Sequence, residues 1–93
     1  MARSSKRLVL ALPSSVRLPF GYRVKVMVVE GDPLPEDCDG LWDDEDRTIY
    51  IRRSQPATRK RYILTHELLH AWLDWQHYCL DAGVVDHLPT APQ

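Results

Sequence analysis

Between Tyr22 and Val29 the chain alternates, with Val24, Val26 and Val28 on one side and Arg23, Lys25 and Met27 on the other. A period of two predicts a half-buried β-strand. The alternation recurs over Arg47–Arg53, where Ile49 and Ile51 oppose Thr48, Tyr50 and Arg52. Leu8–Leu12 is a short apolar run that reads as a buried strand, and Pro13 and Pro19 bracket a connecting segment. Residues 31–46, with Gly31, Pro33, Pro35 and Gly40, read as a long loop.

Ser54 and Pro56 then give a helix-start signal. A helix is predicted from about Pro56 to about Cys79, with Gly83 as its stop. At ~100° per residue, Tyr62, Ile63, His66, Leu69, His70 and Leu73 share one face, while Leu64, Leu68, Ala71 and Trp75 share the other. Two apolar faces predict a helix packed on two sides, running through the middle of the domain with a sheet on one side and both histidines on a buried face. Trp72 and Trp75 are expected in the core. Strands followed by one long helix predict an α+β fold. Residues 1–93 are expected to form one domain, with 86–93 a partly ordered tail that contains Pro89 and Pro92.

Composition changes this picture little. A chain of 93 residues has room for one modest core, which a bound metal would help to stabilise. The formal net charge of -1 gives no global pull toward nucleic acid or anionic membrane. Acidic residues crowd Glu36–Asp46 and basic ones Arg47–Arg61, and such blocks usually mark solvated loops and helix ends. No apolar run approaches the roughly 18 residues of a membrane span. The basic residues Arg3, Lys6 and Arg7 precede an apolar stretch that Pro13 breaks too early for an export signal, so a cytoplasmic location is expected. Cys38 and Cys79 are then free thiols.

The predicted helix carries His66-Glu67-Leu68-Leu69-His70, which fits H-E-x-x-H. Residues i and i+4 stand on one helix face about 6 Å apart along the axis, so two imidazoles there can converge on one Zn²⁺. Glu67, rotated by ~100°, stands beside the metal, where a general base can take a proton from a zinc-bound water. A catalytic zinc usually has three protein ligands. Glu67 is the last glutamate in the chain, so a downstream glutamate cannot complete the set. The candidates are Asp74, His77, Cys79, Asp81, Asp86 and His87. Asp74 and His77 lie one and two turns past His70 on the same helix, so convergence requires a chain reversal, which Gly83 offers. His87 is preferred, then Asp86, then Asp81. The segment Asp37-Cys38-Asp39-Gly40 has its glycine in the wrong register for a calcium loop and reads as an acidic turn. Tyr50, Tyr62, Tyr78 and His77 are all candidates to stabilise an oxyanion, and the sequence selects none of them.

Gly40-Leu-Trp-Asp43, Arg47-Thr-Ile-Tyr-Ile51 and Ile63-Leu-Thr-His-Glu-Leu-Leu-His-Ala71 together resemble the small ImmA/IrrE-like metallopeptidases, which are common in phages and bacterial mobile elements. The resemblance covers roughly residues 22–75 and implies a minimal zincin: a short twisted sheet, an active-site helix, one zinc ion and peptide hydrolysis. It carries the ligand role onto His66 and His70 and the base role onto Glu67. Two departures stand out. This chain begins with a strand where that family has a backing helix, and it lacks the family's downstream glutamate ligand. The order helix, connecting segment, late histidine is similar to SprT-like proteases, whose third ligand is a histidine at a separation close to that of His70 and His87.

The leading function is therefore a zinc-dependent peptidase with a protein or peptide substrate. If Arg47–Arg53 lies at a sheet edge, an extended substrate can pair with it, and its basic residues would prefer acidic segments. The alternative is a zinc-stabilised, non-catalytic binding or regulatory module of the same fold. A third reading, nucleic-acid association through Arg52, Arg53, Arg59, Lys60 and Arg61, predicts a steep salt dependence.

Overall fold

The computed structural model describes residues 11–81. Its elements are β1 (Ser15–Leu18), β2 (Tyr22–Val29), β3 (Gly40–Asp43), β4 (Thr48–Arg52) and α1 (Ala57–Asp81). The fold is α+β. The strands form one sheet in the order β1-β2-β4-β3. β1 runs antiparallel to β2, β2 parallel to β4, and β4 antiparallel to β3.

Alternation in β2 does what the period requires. Tyr22, Val24 and Val26 are buried while Arg23, Lys25 and Met27 are exposed. Val26 pairs with Ile49 and Val28 with Ile51, which puts the apolar sets of two parallel strands on one face. Helix α1 covers that face with Ile63, Leu64 and Ala71. Beyond this core, Trp75 Nε1 donates to the carbonyl of Pro19 at 3.0 Å and the Tyr78 hydroxyl to that of Phe20 at 3.1 Å. Both bonds pin the β1–β2 turn, where Phe20 and Gly21 take positive φ, to the helix.

Three expectations change. The segment between Pro13 and Pro19 is not merely a connection, because Ser15–Leu18 pairs with Tyr22–Lys25 as β1. Val16 and Leu18 pack against the core, and that two-residue spacing was the available signal. The Leu8–Leu12 strand lies largely outside the described residues, and Leu12 is not in a strand. The loop 31–46 contains β3, which pairs with β4 across the acidic turn Asp44–Arg47. In that turn the Asp43 carboxylate accepts from the amides of Glu45 and Asp46, and Arg47 closes it with φ 52°. Acid-rich composition hid a hairpin because the acids form its turn.

The helix is packed on one side only among the described residues. Tyr62, Leu69 and Leu73 are 60%, 62% and 55% exposed, and Trp72 is exposed as well. Trp75 alone of the two helix tryptophans reaches the core, stacked against Phe20 and tilted against Trp72. A single sheet presents one apolar face, and α1 covers that face with Leu64, Leu68 and Ala71 and also with Ile63, which the helical period had grouped with His66.

Candidate active site

α1 includes the whole His66–His70 segment. One helical turn brings the two imidazoles together, with ring centroids 5.2 Å apart and planes at 69°. Both histidines are exposed, which corrects the expectation of a buried face. Neither imidazole packs into the core, and that of His66 borders a cleft between α1 and the segment that leads into β3. The Tyr62 ring stands one turn before, 6.5 Å from that of His66 and stacked on it.

Glu67 is half-buried, because its rotation from His66 turns it toward β3. There the sheet approaches the helix closely at Gly40. A side-chain carbon on Gly40 would collide with Cγ2 of Ile63 and stand 3.4 Å from Oε2 of Glu67. Glycine at this position therefore sets the distance between the edge strand and the carboxylate. A cleft of about 360 Å³ opens here, lined by Asp37–Gly40 on one wall and by Arg59, Tyr62, Ile63, His66 and Glu67 on the other.

The loop wall is held by Arg52 at the end of β4. Its Nη2 donates to the carbonyls of Cys38 at 2.6 Å and Pro35 at 2.8 Å, and its Nε donates to Cys38 O at 3.1 Å. Asp39 accepts from Gln55 Nε2 and lies within ion-pair distance of Arg52 and Arg59. The turn read at Asp37–Gly40 falls instead at Pro35–Cys38, where the Cys38 amide donates to the Pro35 carbonyl at 3.1 Å, and Gly40 already belongs to β3. Burial and the neighbouring Asp37 carboxylate push the Cys38 thiol above its ordinary pKa, so it is a poor nucleophile.

Of the third-ligand candidates, Asp86 and His87 lie outside the described residues. Asp74 is engaged elsewhere, its Oδ2 accepting from Trp42 Nε1 at 2.6 Å. Cys79 is buried, and His77 and Asp81 line a second cleft together with Asp74. Among the described residues, no group of three His, Cys, Asp or Glu side chains could hold a metal ion. The chemistry of the pair nonetheless fits two sites of a zinc ligand set: two imidazoles at i, i+4 with a carboxylate between them. The oxyanion candidates also sort themselves. Tyr78 is bonded to Phe20, Tyr50 pairs with Met27 on the far face of the sheet, and His77 is in the second cleft, which leaves Tyr62 beside His66.

Sequence reading missed the Trp42–Asp74 bond. A lone tryptophan in an acidic loop and an aspartate one turn past His70 were visible, but only the β3–β4 pairing joins them.

An α+β domain with one helix across a four-stranded sheet, and a His-Glu-x-x-His segment on that helix, defines the class. Residues 23–90 match the model of the IrrE N-terminal-like domain, Peptidase_M78, and the chain belongs to that family, a peptidase-type one. No curated protein and no solved structure matches it. No described helix is long and apolar enough to cross a membrane.

Proposed function

We propose that the protein is a zinc-dependent peptidase with His66 and His70 as metal ligands and Glu67 as general base. One observation carries this reading: the paired rings, 5.2 Å apart, flank a carboxylate turned into a cleft beside an edge strand. Zinc, when bound, supplies Lewis acidity toward a peptide carbonyl and acidifies water. Glu67 then accepts the proton of the attacking water on its carboxylate and delivers it to the departing amine.

His87 is the preferred third ligand, since it follows Gly83, where the chain can reverse, and an imidazole would complete a three-histidine set, with Asp86 next and Asp81 third.

Substrate alignment moves from β4 to β3. β4 is bonded on both sides, to β2 and β3, whereas β3 forms the sheet edge next to Glu67 among the described residues. An extended peptide added to β3 would run past the motif.

The test is a pair of variants. Glu67→Gln is expected to keep stoichiometric zinc and an unchanged circular-dichroism spectrum while lowering peptide cleavage by about 10²–10⁴-fold. His87→Ala is expected to lose zinc. Unchanged biological activity in Glu67→Gln supports instead the zinc-stabilised module without turnover.

A further inference from the structure

We propose that the cleft at the far end of β3 receives a lysine or arginine side chain of a polypeptide lying along that strand. The proposal rests on the reading that β3 aligns the substrate of a peptidase, and it names that substrate's class. The cleft measures about 460 Å³ and lies between the β3–β4 turn and the last turns of α1. Asp44 enters it from the turn, and Asp74 and Asp81 from the helix.

Three carboxylates face a single cation there, Arg47. Its guanidinium carbon lies over the Tyr22 ring, 4.1 Å from the centroid, and 5.0 Å from the centroid of Tyr78. It forms no ion pair with any carboxylate among the described residues. The acceptors therefore remain available. Asp44 and Asp81 make no side-chain hydrogen bond among the described residues, and Asp74 has engaged only Oδ2, with Trp42.

A second observation is independent of the acids. Tyr22 also lines the cleft and is only 3% exposed, yet its hydroxyl has no hydrogen-bond partner among the described residues. A buried phenol without a partner costs free energy that a bound donor recovers. Arg47 and Tyr78, the neighbours of the Tyr22 ring, line the same cleft. A guanidinium or ammonium has several donors to spread over Tyr22, Asp44 and Asp81. A metal ion is the poorer occupant, since no described group of three ligands could hold one.

The position links this cleft to the motif. Gly40, at one end of β3, touches Ile63 and Glu67, and Trp42, two residues on, bonds Asp74. A peptide along β3 that passes Glu67 would place a side chain a few residues away among the three aspartates. The structure therefore reverses the preference for acidic segments expected had β4 been the edge.

The test uses the full Glu67→Gln chain, which holds a peptide without turning it over, and capped pentapeptides Ac-Thr-Val-Xaa-Val-Thr-NH2. With Xaa arginine, norleucine or glutamate, each is titrated into the ¹⁵N-labelled protein, with the Trp42 indole N–H as reporter. The arginine peptide is expected to shift the Trp42 and Tyr78 signals and to bind about fivefold or more tighter than the norleucine peptide. That preference is expected to shrink as salt rises from about 50 to 500 mM and to vanish in the double variant Asp44→Asn, Asp81→Asn. Equal binding of all three peptides, an arginine preference that survives the double variant, or no binding at about 10 mM overturns the proposal. Cleavage by the wild-type chain separates the two readings. Turnover without basic preference removes the pocket and keeps the peptidase. Arginine-selective binding in a chain that cleaves nothing keeps the pocket and removes the peptidase.

Discussion

The two long faces of α1 have had opposite histories. The face toward the sheet carries Ile63, Leu64 and Ala71, all buried, and joins Val24, Ile49 and Ile51 in one core. A second face carries Tyr62, His66, Leu69, His70 and Leu73, all exposed, with Tyr62 and His66 bordering the cleft at β3. Both are apolar enough in sequence to be read as packed. The difference shows that hydrophobic periodicity counts faces but does not say what covers them. On this helix the face that no described residue covers is the one that bears the candidate chemistry.

The comparison can be broken by substitution. The largest stability effect is expected on the covered side. Ile49→Ala or Ile51→Ala, each at a fully buried position, is expected to cost about 2–5 kcal/mol in chemical unfolding. Gly40→Ala follows at about 1–3 kcal/mol, because the added carbon meets Ile63, with Glu67 and hence activity displaced as well. Trp42→Phe, which leaves Asp74 without its donor, is expected to cost about 1–3 kcal/mol and to loosen β3. Leu69→Ala and Leu73→Ala, on the open side, are expected to stay within about 0.5 kcal/mol. A loss of 2 kcal/mol or more at Leu69 would overturn the contrast by showing that face covered.

The smallest expected effect is one of alkaline pH. Burial, ahead of the opposing influence of Arg47, raises the Tyr22 phenol above its ordinary value. As pH climbs, the unfolded chain gives up this proton first, so the folded state binds more protons and stability falls from near pH ~10 upward. Tyr22→Phe is expected to flatten that slope in thermal melts and to raise stability slightly at neutral pH, since it removes a buried hydroxyl without a partner among the described residues. Tyr78→Phe, which loses the bond to Phe20, is expected to lower stability at neutral pH as well.

Much of the architecture was legible before any coordinates. The β2 range, the β4 strand and the 57–81 helix follow from periods of two and 3.6, because each has one face against the core. β1 and β3 were hidden for a common reason. Each has only four residues, too few for a period to declare itself, and each pairs through turns whose residues read as loop. At the candidate site, His66, Glu67 and His70 were legible because their geometry is local to one helix. Trp42–Asp74, Gly40 against Ile63, and Arg47 between Tyr22 and Tyr78 depend on contacts distant in sequence, which no local spacing encodes. His87 and Asp86 lie outside the described residues, and the choice between them belongs to metal analysis.

Arg52 has a further consequence. It ends a strand in the interior of the sheet and suspends the 35–39 segment from it by three short bonds to two carbonyl groups. That wall of the candidate cleft is therefore anchored to a strand paired on both sides. Its conformational entropy is surrendered when the chain folds, so a ligand of this cleft would meet a rim already in shape. A lysine in place of Arg52 keeps the charge but not the fork, and would hand that ordering cost back to association.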